Sequence, residues 1–183
     1  MKTLALDPST SETGYCISED GYILKLGTIK PASSLDLIEK LIYIKEEMVR
    51  IVLDEHIDDL ILEDIYLKFF TSYSALAKLQ GALITKWWEI RFSKPVLYGK
   101  ANEMRRIVGI KGNAKKAEIM RELNKNLGTH FTNDNIADAV VLTLAYFKII
   151  KTFDITKVKD SLSKLDTNPQ KAKKNGNKKS KTK

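Results

Sequence analysis

This 183-residue chain is poor in the residues that build covalent or imidazole-based sites: one cysteine, two histidines and four prolines. With Cys16 alone, an internal disulfide and a thiolate metal cage are both excluded, and the expected role of that side chain is core filler. His56 and His130 stand singly and read as structural or solvated side chains. Long hydrophobic runs are missing too. The longest, from Ala139 to Phe147, falls far short of the roughly 20 residues needed to span a bilayer. A readable signal peptide is missing as well, since Asp7 interrupts the apolar start. The expectation is a cytoplasmic protein with no membrane contact.

The net charge of +8 is concentrated at one end. Residues 168–183, NPQKAKKNGNKKSKTK, contain no acid and seven lysines, and without them 24 basic residues face 23 acidic ones. Ala172 is the one apolar residue there, so the segment is expected to be a disordered lysine-rich tail. It reads as a loose tether for a polyanion, with nucleic acid the leading candidate and a solubilising tail the alternative.

What is present is a mixed pattern of strands and helices. Short strands are expected at about 2–7, 14–18 and 22–29, with Glu19-Asp20-Gly21 as a hairpin turn. A helix over about 35–55, capped by Ser33 or Ser34, carries Leu35, Ile38, Leu41, Ile42, Met48, Ile51 and Val52 as its apolar stripe. A fourth strand is expected over 58–67, a helix over 72–92 and a fifth strand over 95–99. Gly81 inside that helix costs about 1 kcal/mol relative to Ala, which points to another backbone packing closely there. Helices at about 102–108, 114–127 and 133–152 complete a body of residues 1–152, and 153–167 reads as a frayed connector. This order implies an α/β fold with a mixed five-stranded sheet, its first three strands antiparallel, flanked by helices.

Strand alternation places Thr3, Ala5 and Asp7 on one face of the first strand, and Pro8 ends the ladder. Asp7 and Glu63 both close strands expected to be neighbours, at the sheet end where α/β folds gather ligands. Asp64 points to the opposite face from Glu63. Asp138 precedes an almost wholly apolar helix that must bury against the sheet, with Asp134 one turn earlier. Carboxylates meeting there repel one another unless a cation neutralises them, and all-oxygen ligation suits Mg²⁺ or Mn²⁺. Two such ions suit phosphodiester hydrolysis. For Asp138 and Asp134 the plainer reading is acids favouring a helix N-terminus.

Five stretches, LALDPSTSETGYCI, LILEDIY, SALAKLQGALI, VGIKGNAKKAEI and NIADAVVLTLAY, resemble in order the motifs of the RuvC family of Holliday-junction resolvases. The likeness covers about residues 1–150 and implies an RNase H-like nuclease domain. Its small size and divergence fit a phage-type member working in the bacterial host cytoplasm. The resemblance implies Asp7, Glu63 and Asp138 as catalytic metal ligands and Lys116, beside Lys115, as a phosphate-binding lysine. It also implies Tyr66 as an aromatic near the junction centre, where base stacking is the physical rationale; a core role is the alternative. The resemblance implies a homodimer with the helix 72–92 at its interface; Trp87 and Trp88, adjacent on different faces, can supply the contact, and one core Trp beside one surface Trp is the alternative.

Two positions depart from the family pattern. Where the family carries a further ligand three residues before the last Asp, this chain has Asn135, with Asp134 next to it; either can be the fourth ligand. A second family lysine aligns with Met104, and Arg105 or Arg106 can compensate; Lys111 adds to the basic segment. The expected function is a divalent-metal-dependent endonuclease that cleaves Holliday junctions and other branched DNA in recombination or replication. The alternative is a junction-binding protein with weak or no cleavage. A sugar-kinase or actin-type ATPase also has a strand Asp followed by a polar turn and Gly, but no second glycine-rich phosphate loop is readable here.

Overall fold

The computed structural model describes residues 1–65, 70–91 and 94–167, side chains 70–72 excepted. Tyr66 and the lysine-rich segment 168–183 lie outside the described residues. Strands β1 (Lys2–Asp7), β2 (Thr13–Glu19) and β3 (Tyr22–Ile29) form an antiparallel meander. Asp20 and Gly21 join β2 to β3 at φ 49° and 90°, the positive values that a two-residue hairpin of right-handed twist requires. Helix α1 (Leu37–Asp54) then crosses over to β4 (Asp59–Glu63), which pairs with β1 in parallel. Helix α2 (Phe70–Arg91) leads to β5 (Leu97–Gly99), parallel to β4. The sheet order is β3-β2-β1-β4-β5, the mixed five-stranded arrangement expected. Helices α3 (Ala101–Ile107), α4 (Lys116–Leu127), α5 (Asp134–Ile149) and α6 (Ile155–Ser163) follow.

The sheet divides two cores, and the period-2 alternation decides which side chain joins which. Leu4, Leu6, Leu60 and Leu62 pack with α1 and α2, around Ile44, Met48, Leu79 and Trp87. Ala5, Cys16 and Ile61 pack on the other side with α5, which is buried without interruption from Ile136 to Phe147. Gly14 permits this close approach, because a Cβ there would lie 2.1 Å from the Asn135 carbonyl oxygen. Burial of Cys16 pushes its thiol up to about 12, in keeping with an inert core residue. No described helix is long and apolar enough to cross a membrane.

Several local expectations are corrected. Asp36, not Ser33 or Ser34, caps α1, through a capping box with Glu39 that D-x-x-E encodes. The packed stripe of α1 is Leu41, Ile44, Met48 and Val52, while Ile38 and Ile42 are exposed. Apolar residues occupy more than one face of this helix, so periodicity alone does not select the face that packs. Strand β4 ends at Glu63, and α5 ends at Ile149, just before Lys151 adopts φ 59°. A Cβ added at Gly81 would meet nothing within 4 Å outside its own helix among the described residues, contrary to the close packing expected from its cost. Residues 153–167 are not frayed: Asp154 caps α6, whose Val158 and Leu162 are buried, and Ser161 Oγ accepts from the Ile23 N–H of β3.

Candidate active site

Leu6 of β1 stands opposite Leu62 of β4, so Asp7 and Glu63 follow at the same level on adjacent parallel strands. Strands in that relation lie about 4.8 Å apart. Both carboxylates continue the row of Ala5 and Ile61, which faces α5. Asp138 lies on the second turn of α5 and is 7% exposed, held there because the apolar run after it must bury. Asp134 opens the same helix, where Asn133 Oδ1 caps the chain by accepting from the Ile136 N–H.

The electrostatics agree with this convergence. Burial pushes the Asp7 carboxyl well above the usual carboxylate range, and the charges of Glu63 and then Asp138 push it further. Glu63 is raised to about 7, by burial first and Asp138 second, with Arg105 and Lys116 opposing. Asp138 is raised by burial against the pull of Arg105. Asp134, outside this buried set, is lowered by its hydrogen bond from Lys116, which raises the lysine in return.

Two cations from the neighbouring helices already touch these acids. Arg105 of α3 places Nη2 3.3 Å from Asp138 Oδ1, with side chains 17% and 8% exposed. Lys116, the first residue of α4, donates from Nζ to Asp134 Oδ2. Met104 is buried against Gly99, so the position aligned with the second family lysine is a core residue, and Arg105 is the basic side chain that reaches the acids. Arg106, Lys111 and Lys115 are exposed around the same α3–α4 segment and touch none of the acids in the hydrogen bonds observed. Asn135 approaches Gly14 through its backbone.

Asp7, Glu63, Asp138 and Asp134 offer only hard oxygen donors, the set that Mg²⁺ or Mn²⁺ prefers. Among the described residues, no group of three or more His, Cys, Asp or Glu side chains is gathered into a formed metal cage. Burial is the first cause of the raised Asp7, Glu63 and Asp138 carboxyls, a cost that divalent ions would offset, and the all-oxygen donor set fits such ions.

The contacts of two residues were not visible in the sequence. Gln80 of α2 donates from Nε2 to the Glu63 backbone carbonyl at 2.6 Å. Glu12, in the turn after β1, accepts from Asn133 Nδ2 at 2.8 Å and pairs with Lys30 at 2.8 Å. Both residues lie inside stretches that resemble family motifs, but their partners are more than 15 residues away. Sequence spacing therefore carries no signal for them.

The family model for the crossover junction endodeoxyribonuclease RuvC matches residues 3–146. No curated protein matches the chain. Among solved structures, Thermus thermophilus RuvC is 16% identical with a TM-score of 0.65, covering 83% of this chain and 98% of that one. T. thermophilus RuvC in complex with a Holliday junction substrate is 15% identical, with a TM-score of 0.66 and coverage of 83% and 97%. The yeast mitochondrial Holliday junction resolvase Ydc2 is 10% identical, with a TM-score of 0.57 and coverage of 86% and 81%. At such identities the structures share a fold with this chain, and the family model links its sequence from β1 to α5. The chain belongs to the RuvC family of crossover junction endodeoxyribonucleases.

Proposed function

We propose that this protein cuts phosphodiester bonds in four-way and other branched DNA, depends on Mg²⁺ or Mn²⁺, and works as a homodimer. The observation that carries the reading is the level placement of Asp7 and Glu63 on β1 and β4, under an α5 that buries Asp138. These three residues would hold the ions, with Asp134 or Asn135 as a further ligand. Bound divalent ions supply a more acidic water and stabilise the charge on the leaving 3′ oxygen. The chain's own contribution is positional. The β1–β4 register holds two carboxylates level, and the burial of α5 fixes the third. Lys116, more than half exposed, is free to turn from Asp134 to a phosphate oxygen.

The family's substrate class and a relative bound to a Holliday junction support branched DNA as the substrate. Dimerisation is supported by substrate logic, since paired cuts across a junction need two sites, and by one face of α2. Trp88 is 49% exposed there, two helical turns from Gly81, while Trp87 is fully buried. An end-labelled junction incubated with protein and Mg²⁺ or Mn²⁺ tests the activity. Incision by the wild type, with binding but no incision by Asp7→Asn and Glu63→Gln, is expected. Wild-type-like nicking by either variant refutes the mechanism. Binding without incision by the wild type itself would establish the junction-binding alternative, to which the neutral Asn135 side chain lends support.

A further inference from the structure

Arg105 is poorly satisfied where it stands beside the acids. Its side chain is 17% exposed, it reaches Asp138 through one contact of 3.3 Å, and its Nε is buried without a hydrogen-bond partner. A settled arginine–carboxylate pair is shorter, about 2.7–2.9 Å, and commonly uses two parallel donors. Arginine cannot shed its proton to relieve the mismatch. The neighbouring Arg106 is exposed and has no such contact with the acids. Arg105 therefore occupies one oxygen of a carboxylate that divalent ions would need, while keeping a donor in reserve.

We propose that Arg105 couples metal binding to DNA binding: it pairs with Asp138 in the resting protein, yields that carboxylate to a divalent ion, and then takes a DNA phosphate. The inference rests on the metal-dependent reading above and adds a positioning residue to it. Once Asp138 is engaged by a divalent cation, the guanidinium is surplus positive charge in a poorly solvated notch. A phosphodiester is the anion the substrate brings, and the unpartnered Nε together with an Nη forms the planar fork that suits it. Since coupling between two ligands is reciprocal, metal should strengthen DNA binding and DNA should strengthen metal binding through this one side chain.

The experiment measures Mn²⁺ affinity by electron paramagnetic resonance on DNA-free protein, and junction affinity by fluorescence anisotropy with Ca²⁺ or with chelator. Arg105→Gln should bind Mn²⁺ about tenfold more tightly than wild type, at the lower end of typical coupling. Arg106→Gln, which removes the same charge one residue away, should shift it far less. Arg105→Lys, which keeps the charge, guards against a change caused by misfolding and should stay near wild type. The gain in junction affinity that Ca²⁺ confers on the wild type should be largely lost in Arg105→Gln. Equal Mn²⁺ shifts in the two glutamine variants, or an undiminished Ca²⁺ gain in Arg105→Gln, overturn the proposal and leave the nuclease reading standing. Failure of folded wild-type protein to bind Mn²⁺ overturns both. An uncut junction, with the predicted Mn²⁺ and Ca²⁺ effects intact, overturns the nuclease reading alone.

Discussion

Gln80 donates from its side-chain amide to the backbone carbonyl of Glu63 at 2.6 Å. The bond ties α2, on one side of the sheet, to the strand end whose carboxylate faces the other side. Gln80→Leu would leave that part-buried carbonyl unpartnered, at a cost of about 1–3 kcal/mol. The expected result is a lower melting temperature and slower single-turnover cleavage, with junction affinity nearly unchanged. Thermal unfolding and rapid-quench cleavage at saturating protein check it; unchanged cleavage at full stability would show that β4 needs no such anchor.

Glu12 works through Asn133, which donates to it from Nδ2 while its Oδ1 caps the helix that carries Asp134 and Asp138. Glu12→Ala removes both the amide contact and the ion pair with Lys30, whereas Glu12→Gln keeps an acceptor for Asn133 and loses only the charge. The alanine variant should lose about 1 kcal/mol, the scale of a helix cap, and cleave more slowly, while the glutamine variant should recover most of the rate. Comparing the two by denaturant unfolding and cleavage assay separates positioning from charge.

Without metal, the raised carboxyls make stability depend on pH in an unusual direction. A group whose folded pKa lies above its unfolded value stabilises the fold at low pH, and that contribution fades as pH rises through the folded value. For Glu63 the window runs from its ordinary value of 4.5 to about 7, with Asp7 and Asp138 acting in the same sense. Melting temperatures in chelator should therefore fall from pH 5 to pH 8. Saturating Mn²⁺ should restore them at the upper end, and Glu63→Gln should flatten the fall. A flat profile for the wild type would contradict the convergence of these acids.

Seven of the chain's 31 lysines and arginines lie in residues 168–183. Deleting that segment should weaken junction binding and make its dependence on salt shallower, since fewer counterions are released, while incision persists at low salt. Anisotropy titrations from 50 to 200 mM salt, a range over which phosphate contacts change affinity strongly, measure the slope. An identical slope would assign the tail to solubility.

The fold and the placement of the acids are legible because each rests on a local regularity. Alternation fixes the faces of β1 and β4, and the apolar run after Asp138 forces α5 into the core. The face of α1 was misassigned because Ile38 and Ile42 are apolar yet exposed, and hydrophobicity alone does not say which side meets the sheet. Helix α6 was missed because its polar surface hides a two-residue anchor, Val158 and Leu162. The resemblance aligns Met104 with a family lysine and leaves Arg105 or Arg106 open as the residue that compensates. Packing separated them, burying the first, turning the second to Asp138 and exposing the third.

The placement of Asp7 near the beginning of the chain and Asp138 on α5 has a bearing on synthesis. A ribosome delivers β1 first, and more than a hundred residues must follow before the helix that covers it emerges. A product that stopped short of α5 would lack Asp138 and would leave the Ala5, Cys16 and Ile61 face of the sheet bare. Such a fragment would be prone to aggregate. The order of elements along the chain thus leaves that face of the sheet uncovered until α5 has emerged.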